Sequence, residues 1–262
     1  MIKNIDALGE EIFWIDDVVP EHLLLQWWEQ VIVYGKWDKG FLAYGGNPPH
    51  PSMDRTGNPD AQKMIREQGS FSRDITGTKE RTTWYMNVSA SKEKFKEAAT
   101  KAYTKQDDGN NPYWDDPEKE KQGFGLQDHQ FQHHPQIHFT VDQIWAMYKP
   151  HFEEAVGKEL QDYNNCYLHS FQHGDSSWCH QDYMDYSAIV YLNPPKKHFW
   201  DLRKWGGETL YWNDDLDFVR ACTVPKGGAA SLFRGDIFHK VTMPSWEADW
   251  GRNAATFFFD KK

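Results

Sequence analysis

The sequence predicts a mainly β protein with flanking helices, an α+β fold whose C-terminal part forms a sandwich or barrel. Three observations predict it. From residue 163 onward the chain breaks into short β-type runs, "NCYLHSF", "YSAIVYLN", "GGETLYW", "AASLF", "DIFHKV" and "NAATFFF", separated by turn residues. Helix-like segments fall before that point, so strands and helices do not alternate as βαβ units would. With 262 residues, 39% hydrophobic and 16% aromatic, the chain can bury a full core and has the composition of an ordered globular protein.

In chain order, the start "MIKNIDALGEEIFWIDDVVP" carries acidic residues where a secretory leader needs a basic start and an apolar run. No stretch approaches the roughly 20 apolar residues of a membrane span. Cys166, Cys179 and Cys222 are odd in number and lack CxxC spacing, which fits neither a disulfide framework nor a zinc ribbon. A cytoplasmic protein without a membrane partner is expected. A net charge of -10 disfavours nucleic acid as a partner, because that affinity rests on clustered Lys and Arg.

"PEHLLLQWWEQVIVYG" opens at Pro20 and closes at Gly35, with Leu23, Leu24, Trp27, Trp28 and Val31 near helical spacing. The tryptophan pair is read as packing of this helix against the barrel. Residues 44–60 are rich in Gly, Pro and Asn and read as a loop, and a short charged helix is expected to begin at Ser91. "HQFQHHPQIH" holds His129, His133, His134 and His138, but Pro135 interrupts it and no carboxylate or cysteine completes a site, so it reads as a polar loop. Thr140 and Gln143 have capping-box spacing ahead of the stripe Ile144, Trp145, Tyr148 and Phe152, and Pro150 should kink or split that helix. One domain is expected over 1–262, with 1–160 as helical support and substrate-covering loops and 161–262 as the core that holds the site.

"WCHQDYM" sets His180 and Asp182 two apart, a spacing that puts both on one face of a strand. Alone, such a pair is more simply a surface or capping pair. His239 in "DIFHKV" follows after 56 intervening residues. Two imidazoles and one carboxylate on one face of an iron leave positions open for a co-substrate and dioxygen. Arg252 follows after 12 intervening residues, at the start of the last run. Its guanidinium can fork onto a carboxylate, as a clamp for the far end of a dicarboxylate requires. Gly206 and Gly207 read as a turn before "ETLYW".

The ordered set "HQD", "IVYLNPP", "WGGETLYW", "VPKGGAASLF", "FHKV" and "GRNAATFFF" resembles the Fe(II)/2-oxoglutarate-dependent dioxygenases, in their prolyl 4-hydroxylase-like branch, over roughly residues 163–260. The resemblance implies a double-stranded β-helix, a cupin-like jelly roll. His180, Asp182 and His239 would be iron ligands and Arg252 would pair with the distal carboxylate of 2-oxoglutarate. Tyr191 matches a position that binds the same carboxylate in some members, and Tyr167 would also face the co-substrate. The cofactors implied are Fe(II) and 2-oxoglutarate, with ascorbate as a stimulant. Asp182 points to hydroxylation, since halogenating members usually carry a small residue there. The substrate implied is a prolyl or other amino-acid side chain, in a peptide or free, oxidised by dioxygen with succinate and CO2 as co-products; small metabolites are the alternative. Trp178, Tyr183, Tyr186 and Trp212 are the aromatics that would wall its pocket. A non-catalytic binding module of the same fold and a metal-dependent isomerase without 2-oxoglutarate are the competing readings.

Overall fold

A computed structural model describes residues 5–35, 38–40, 83–89, 135–173, 175, 177, 179–182, 184–193, 200–248 and 251–262. The loop at 44–60, the helix expected from Ser91, and His129, His133, His134, Trp178 and Tyr183 lie outside them. In chain order the elements are β1 (Ile5–Gly9), β2 (Ile12–Ile15), α1 (Glu21–Tyr34), β3 (Asp38–Gly40), β4 (Thr83–Ser89) and α2 (Pro135–Val156). The second half continues with β5 (Asn165–Phe171), β6 (Tyr186–Tyr191), β7 (Thr209–Trp212), β8 (Val219–Thr223), β9 (Ala230–Arg234), β10 (His239–Val241) and β11 (Arg252–Phe259).

The strands form two antiparallel sheets, one ordered β1-β2-β9-β6-β11-β5-β4-β3 and the other β10-β7-β8. The segment before β6 adds to the free edge of β10: Ser177 pairs with Val241, and His180 with His239. From β6 the chain crosses to the smaller sheet for β7 and β8 and returns as β9 beside β6. It crosses again for β10 and returns as β11 between β6 and β5. This winding is a double-stranded β-helix, the jelly roll expected for the C-terminal half.

Strand alternation divides the large sheet into two faces of different chemistry. One face carries Cys166 and Leu168 of β5, Ala188 and Val190 of β6, Leu232 of β9, and Ala255, Phe257 and Phe259 of β11. It packs on Trp27 and Val31 of α1 and on Ile144, Trp145, Tyr148 and Phe152 of α2. Trp145 lies 5.4 Å from Phe257 and 4.9 Å from Phe259, ring to ring. Buried side chains of this size stabilise by about 1.5–3 kcal/mol each, so this apolar face is the main hydrophobic core. The opposite face looks into the barrel and buries polar groups: His169, Ser187, Ser231 and Arg252, with Thr209, Thr223 and His239 from the smaller sheet.

Helix α1 spans the expected stretch, and Leu24, Trp27, Trp28 and Val31 are its buried residues. Helix α2 differs from expectation in where it begins. It begins at Pro135, a residue favoured at the first helical position, so Thr140 is interior and caps nothing. The buried Thr140 hydroxyl is shared between Gln136 O at 2.7 Å and Gln30 Oε1 of α1 at 2.6 Å. Nor is the helix split at Pro150. Pro150 and Ala146, whose carbonyl loses its amide partner, are both exposed, so water can replace the bond. Tyr148 and Phe152 hold both sides of the proline in the core, and the Tyr148 hydroxyl donates to Gly228 O at 2.6 Å. No helix among the described residues is long and apolar enough to cross a membrane.

Candidate metal centre

The backbone brings the three candidate ligands together before their side chains are considered. His180 and His239 exchange both backbone hydrogen bonds across an antiparallel bridge, N to O at 3.0 and 2.9 Å. Their imidazole centroids are 4.3 Å apart. Past this bridge the chain leaves the strand, and Asp182 N donates to Gly235 O at 2.7 Å. The expectation of a strand carrying both His180 and Asp182 is therefore met only at His180; a turn delivers Asp182. Its carboxylate stands 3.7 Å from His180 Nε2 and 3.5 Å from His239 Nε2. One ligand atom from each residue lies within 4.8 Å of the others, the grouping a single cation needs.

Neighbouring groups hold two of the three in orientation. His239 Nδ1 lies 3.0 Å from Ile237 O, an oxygen that can only accept. Nδ1 therefore carries the hydrogen and Nε2 presents its lone pair. Ser187 Oγ donates to Asp182 Oδ2 at 2.6 Å, with Oδ1 toward His180 and Oδ2 toward His239. The donor set is thus two imidazoles and a carboxylate held by a hydroxyl, which fits a divalent first-row metal.

Gly235 fixes how close the Asp182 turn can come. Its N donates to Asp185 O at 3.0 Å, and a Cβ there would stand 2.1 Å from Met184 O and 3.5 Å from Asp182 O. The obstruction is backbone and cannot swing away. Gly235→Ala is expected to lower unfolding free energy by about 1–3 kcal/mol and to weaken metal binding roughly tenfold by displacing Asp182. Denaturant titration and calorimetric Zn(II) titration of the variant check the two effects.

Arg252 lies inside the same barrel and is 1% exposed. Its Nε donates to Gly207 O at 2.7 Å and its Nη2 to Thr209 Oγ1 at 3.1 Å. The guanidinium carbon sits 5.4 Å from the Phe171 ring and 5.1 Å from the Tyr191 ring. The glycine turn anticipated at 206–207 has positive φ at both residues, +66° and +76°. A Cβ on Gly207 would stand 2.9 Å from Arg252 Cδ, so the turn also makes room for the arginine. Among the described residues no carboxylate pairs with this guanidinium. Burial lowers its pKa, while Tyr191, Tyr211 and Glu208 act in the opposite sense. A buried guanidinium of this kind is chemically matched to an anion.

The other anticipated residues separate. Tyr191 is fully buried, and its hydroxyl bridges Thr223 Oγ1 at 2.9 Å and Thr209 Oγ1 at 3.2 Å, the latter shared with Arg252. It belongs to the surroundings of Arg252. Tyr167 faces the same interior four residues from the position opposite Arg252, which Phe171 occupies; Tyr167 itself pairs with Thr256. Its ring meets His169 at 5.7 Å and Phe258 at 5.6 Å. Tyr186 does not wall the interior: it is in the apolar core against Phe259, with its hydroxyl directed to Glu11. Trp212 is half-buried on β7. His138 is in the first turns of α2.

Sequence reading missed His169. It stands on the interior face of β5 between Tyr167 and Phe171, 5% exposed, with Nδ1 buried and without a hydrogen-bond partner among the described residues. Burial first, then the charges of Arg252 and His180, lower its pKa to about 3, so the ring is neutral near pH 7. Period-two alternation from Tyr167 in "NCYLHSF" was the signal that could have found it.

Fold and site together define a class: a double-stranded β-helix with a His-Asp-His cluster and a buried arginine in one barrel. No protein-family model matches the sequence, and no curated protein does. Among solved structures, the chain is similar to a prolyl hydroxylase from Trichoplax adhaerens in complex with a hypoxia inducible factor oxygen degradation domain peptide fragment, at TM-score 0.48 and 12% identity, covering 95% of this chain and 84% of that one. A Pseudomonas putida prolyl-4-hydroxylase matches at TM-score 0.37 and 12% identity, over 91% of this chain and 100% of the other. A 2OG-Fe(II) oxygenase family protein from Burkholderia pseudomallei matches at TM-score 0.38 and 16% identity, over 49% and 59%.

Proposed function

We propose that the protein is an Fe(II)/2-oxoglutarate-dependent oxygenase that hydroxylates an unactivated C–H bond, in a prolyl or other amino-acid side chain, peptide-borne or free. The observation that carries this reading is the sharing of one barrel interior by the His180, Asp182, His239 cluster and the buried Arg252. A metal cluster alone would suit many enzymes; a buried guanidinium beside it calls for an anionic co-substrate.

Fe(II) with 2-oxoglutarate and dioxygen supplies oxidative decarboxylation to succinate and CO2, with one oxygen atom transferred to the substrate carbon. The residues of the chain bind, orient and exclude water. His180, His239 and Asp182 would hold the metal, and three protein ligands would leave room for reactants. Ile237 O and Ser187 keep His239 and Asp182 in ligating orientation. Arg252 would hold the distal carboxylate of 2-oxoglutarate, with Tyr191, Thr209 and Thr223 steadying its surroundings. Phe171 and Tyr191, whose rings lie against the guanidinium, would help keep that end dry, which strengthens the pairing.

The test has two arms. Anaerobic addition of 2-oxoglutarate to the Fe(II)-loaded protein should give a weak visible charge-transfer band. Aerobic incubation with a panel of prolyl peptides, free amino acids and small metabolites should then release succinate in step with one of them. Band without succinate across a broad panel would favour the binding module of the same fold; iron uptake without a band would sink the reading.

A further inference from the structure

His169 occupies a place in the barrel that the chemistry above leaves unassigned. On β5 it pairs with Ala254 of β11, and Ala254 pairs on its other side with Tyr191 of β6. The three form a row across the sheet, one step in from Arg252 on the same face. Neighbouring strands are about 4.8 Å apart, so His169 and Tyr191 flank Ala254 at a separation of roughly 10 Å. Ala254, with only a methyl group, is the smallest side chain of the row and is fully buried beside Tyr191. Phe171 closes the row toward Arg252 and Tyr167 the other side, with ring centroids 6.0 and 5.7 Å from the imidazole.

Native proteins rarely leave a buried ring nitrogen without a partner, and one on a polar interior face calls for an explanation such as a functional role or a bound group. Nδ1 of His169 is such a nitrogen. Ser187, whose hydroxyl holds Asp182, pairs with Phe258 of β11, so the His169–Ala254–Tyr191 row lies along the sheet between Arg252 and the metal cluster. A neutral imidazole can donate one hydrogen bond to an anion without adding a second buried cation beside Arg252.

We propose that His169 is a further binding residue of this pocket, its ring N–H donating through Nδ1 to a 2-oxoglutarate anion that lies over Ala254 between Arg252 and the metal cluster. The proposal rests on the oxygenase reading above. It assigns the chain a contact on β5 that complements Tyr191 on β6, so that the co-substrate is gripped from both flanks.

Calorimetric titration of 2-oxoglutarate into the Zn(II)-loaded full-length protein tests it. His169→Phe, which keeps ring volume and removes the donor, is expected to raise Kd roughly tenfold, with Zn(II) affinity unchanged. His169→Asn, whose amide nitrogen can take the place of Nδ1, is expected to recover Kd to within about threefold. A Kd for His169→Phe within about twofold of wild type overturns the proposal while leaving the oxygenase reading intact. Wild-type protein that takes up Zn(II) but no 2-oxoglutarate overturns that reading and the proposal with it. Wild-type protein labelled with 15N-histidine gives an answer that does not depend on the variants folding: the His169 ring signal should move on adding 2-oxoglutarate to the Zn(II) form, and an unmoved signal overturns the proposal.

Discussion

Replacing Asp182 with alanine is expected to abolish 2-oxoglutarate-dependent succinate release and to weaken metal binding roughly 100-fold or more, since loss of a mere supporting partner already costs 10–100-fold. Asp182 is the only carboxylate of the cluster, standing 3.7 and 3.5 Å from the two imidazole Nε2 atoms. Without it, two neutral rings would face a divalent cation with no charge to offset. The fold should survive: the Asp182 turn is held by its backbone amide on Gly235 O, which alanine retains. The main local loss is the partner of the buried Ser187 hydroxyl, worth about 1–3 kcal/mol. Calorimetric metal titration with thermal melting of the metal-free protein separates the two effects. Metal affinity unchanged in Asp182→Ala would remove the cluster from the mechanism.

Ordered chemistry along the chain made most of this site legible. His180, Asp182, His239 and Arg252 come in the order in which the barrel presents them, and the runs that became β5, β6, β9 and β11 announce themselves because both faces are buried. What stayed hidden has definite physical causes. Strand β8, "VRACT", is an edge strand with mostly exposed or half-buried residues, so no apolar pattern marks it. Strands β1 and β2 are short, and they are joined by a turn in which Glu11 takes a positive φ of 60°, a conformation its side chain does not advertise. The Thr140–Gln143 pattern imitates a cap because the sequence does not reveal that Thr140 needs Gln30 of another helix. His169 escaped for a related reason. Its meaning comes from Ala254 and Arg252, nearly a third of the chain away, and only the β5–β11 register joins them.

The interior polarity of the barrel has a consequence for stability as well as chemistry, and Arg252 is where the two separate. Arg252→Met keeps much of the side-chain volume and removes the charge. In the ligand-free protein the guanidinium is a buried cation with no carboxylate paired to it among the described residues, held by Gly207 O, Thr209 Oγ1 and the faces of Phe171 and Tyr191, with Glu208 and Tyr211 also favouring its charge. Replacing buried ionic groups by apolar ones of similar volume is often neutral or stabilising, by up to about 4 kcal/mol. Two hydrogen bonds are lost in exchange, each worth about 1 kcal/mol. The expected result is unfolding free energy within about 1 kcal/mol of wild type, or above it. Binding should move the other way. Breaking one buried, charge-assisted pair costs about 3–5 kcal/mol, so the Kd for 2-oxoglutarate should rise by roughly 100-fold or more. The thermal shift that excess 2-oxoglutarate gives the metal-loaded wild type should then disappear in the variant, because stabilisation by a ligand scales with the logarithm of its concentration over Kd. A variant that loses more than about 3 kcal/mol while still responding to 2-oxoglutarate would make Arg252 a structural residue and place the anion site elsewhere. The opposite pair of signs, stability kept and response lost, is what an arginine held for its ligand must show.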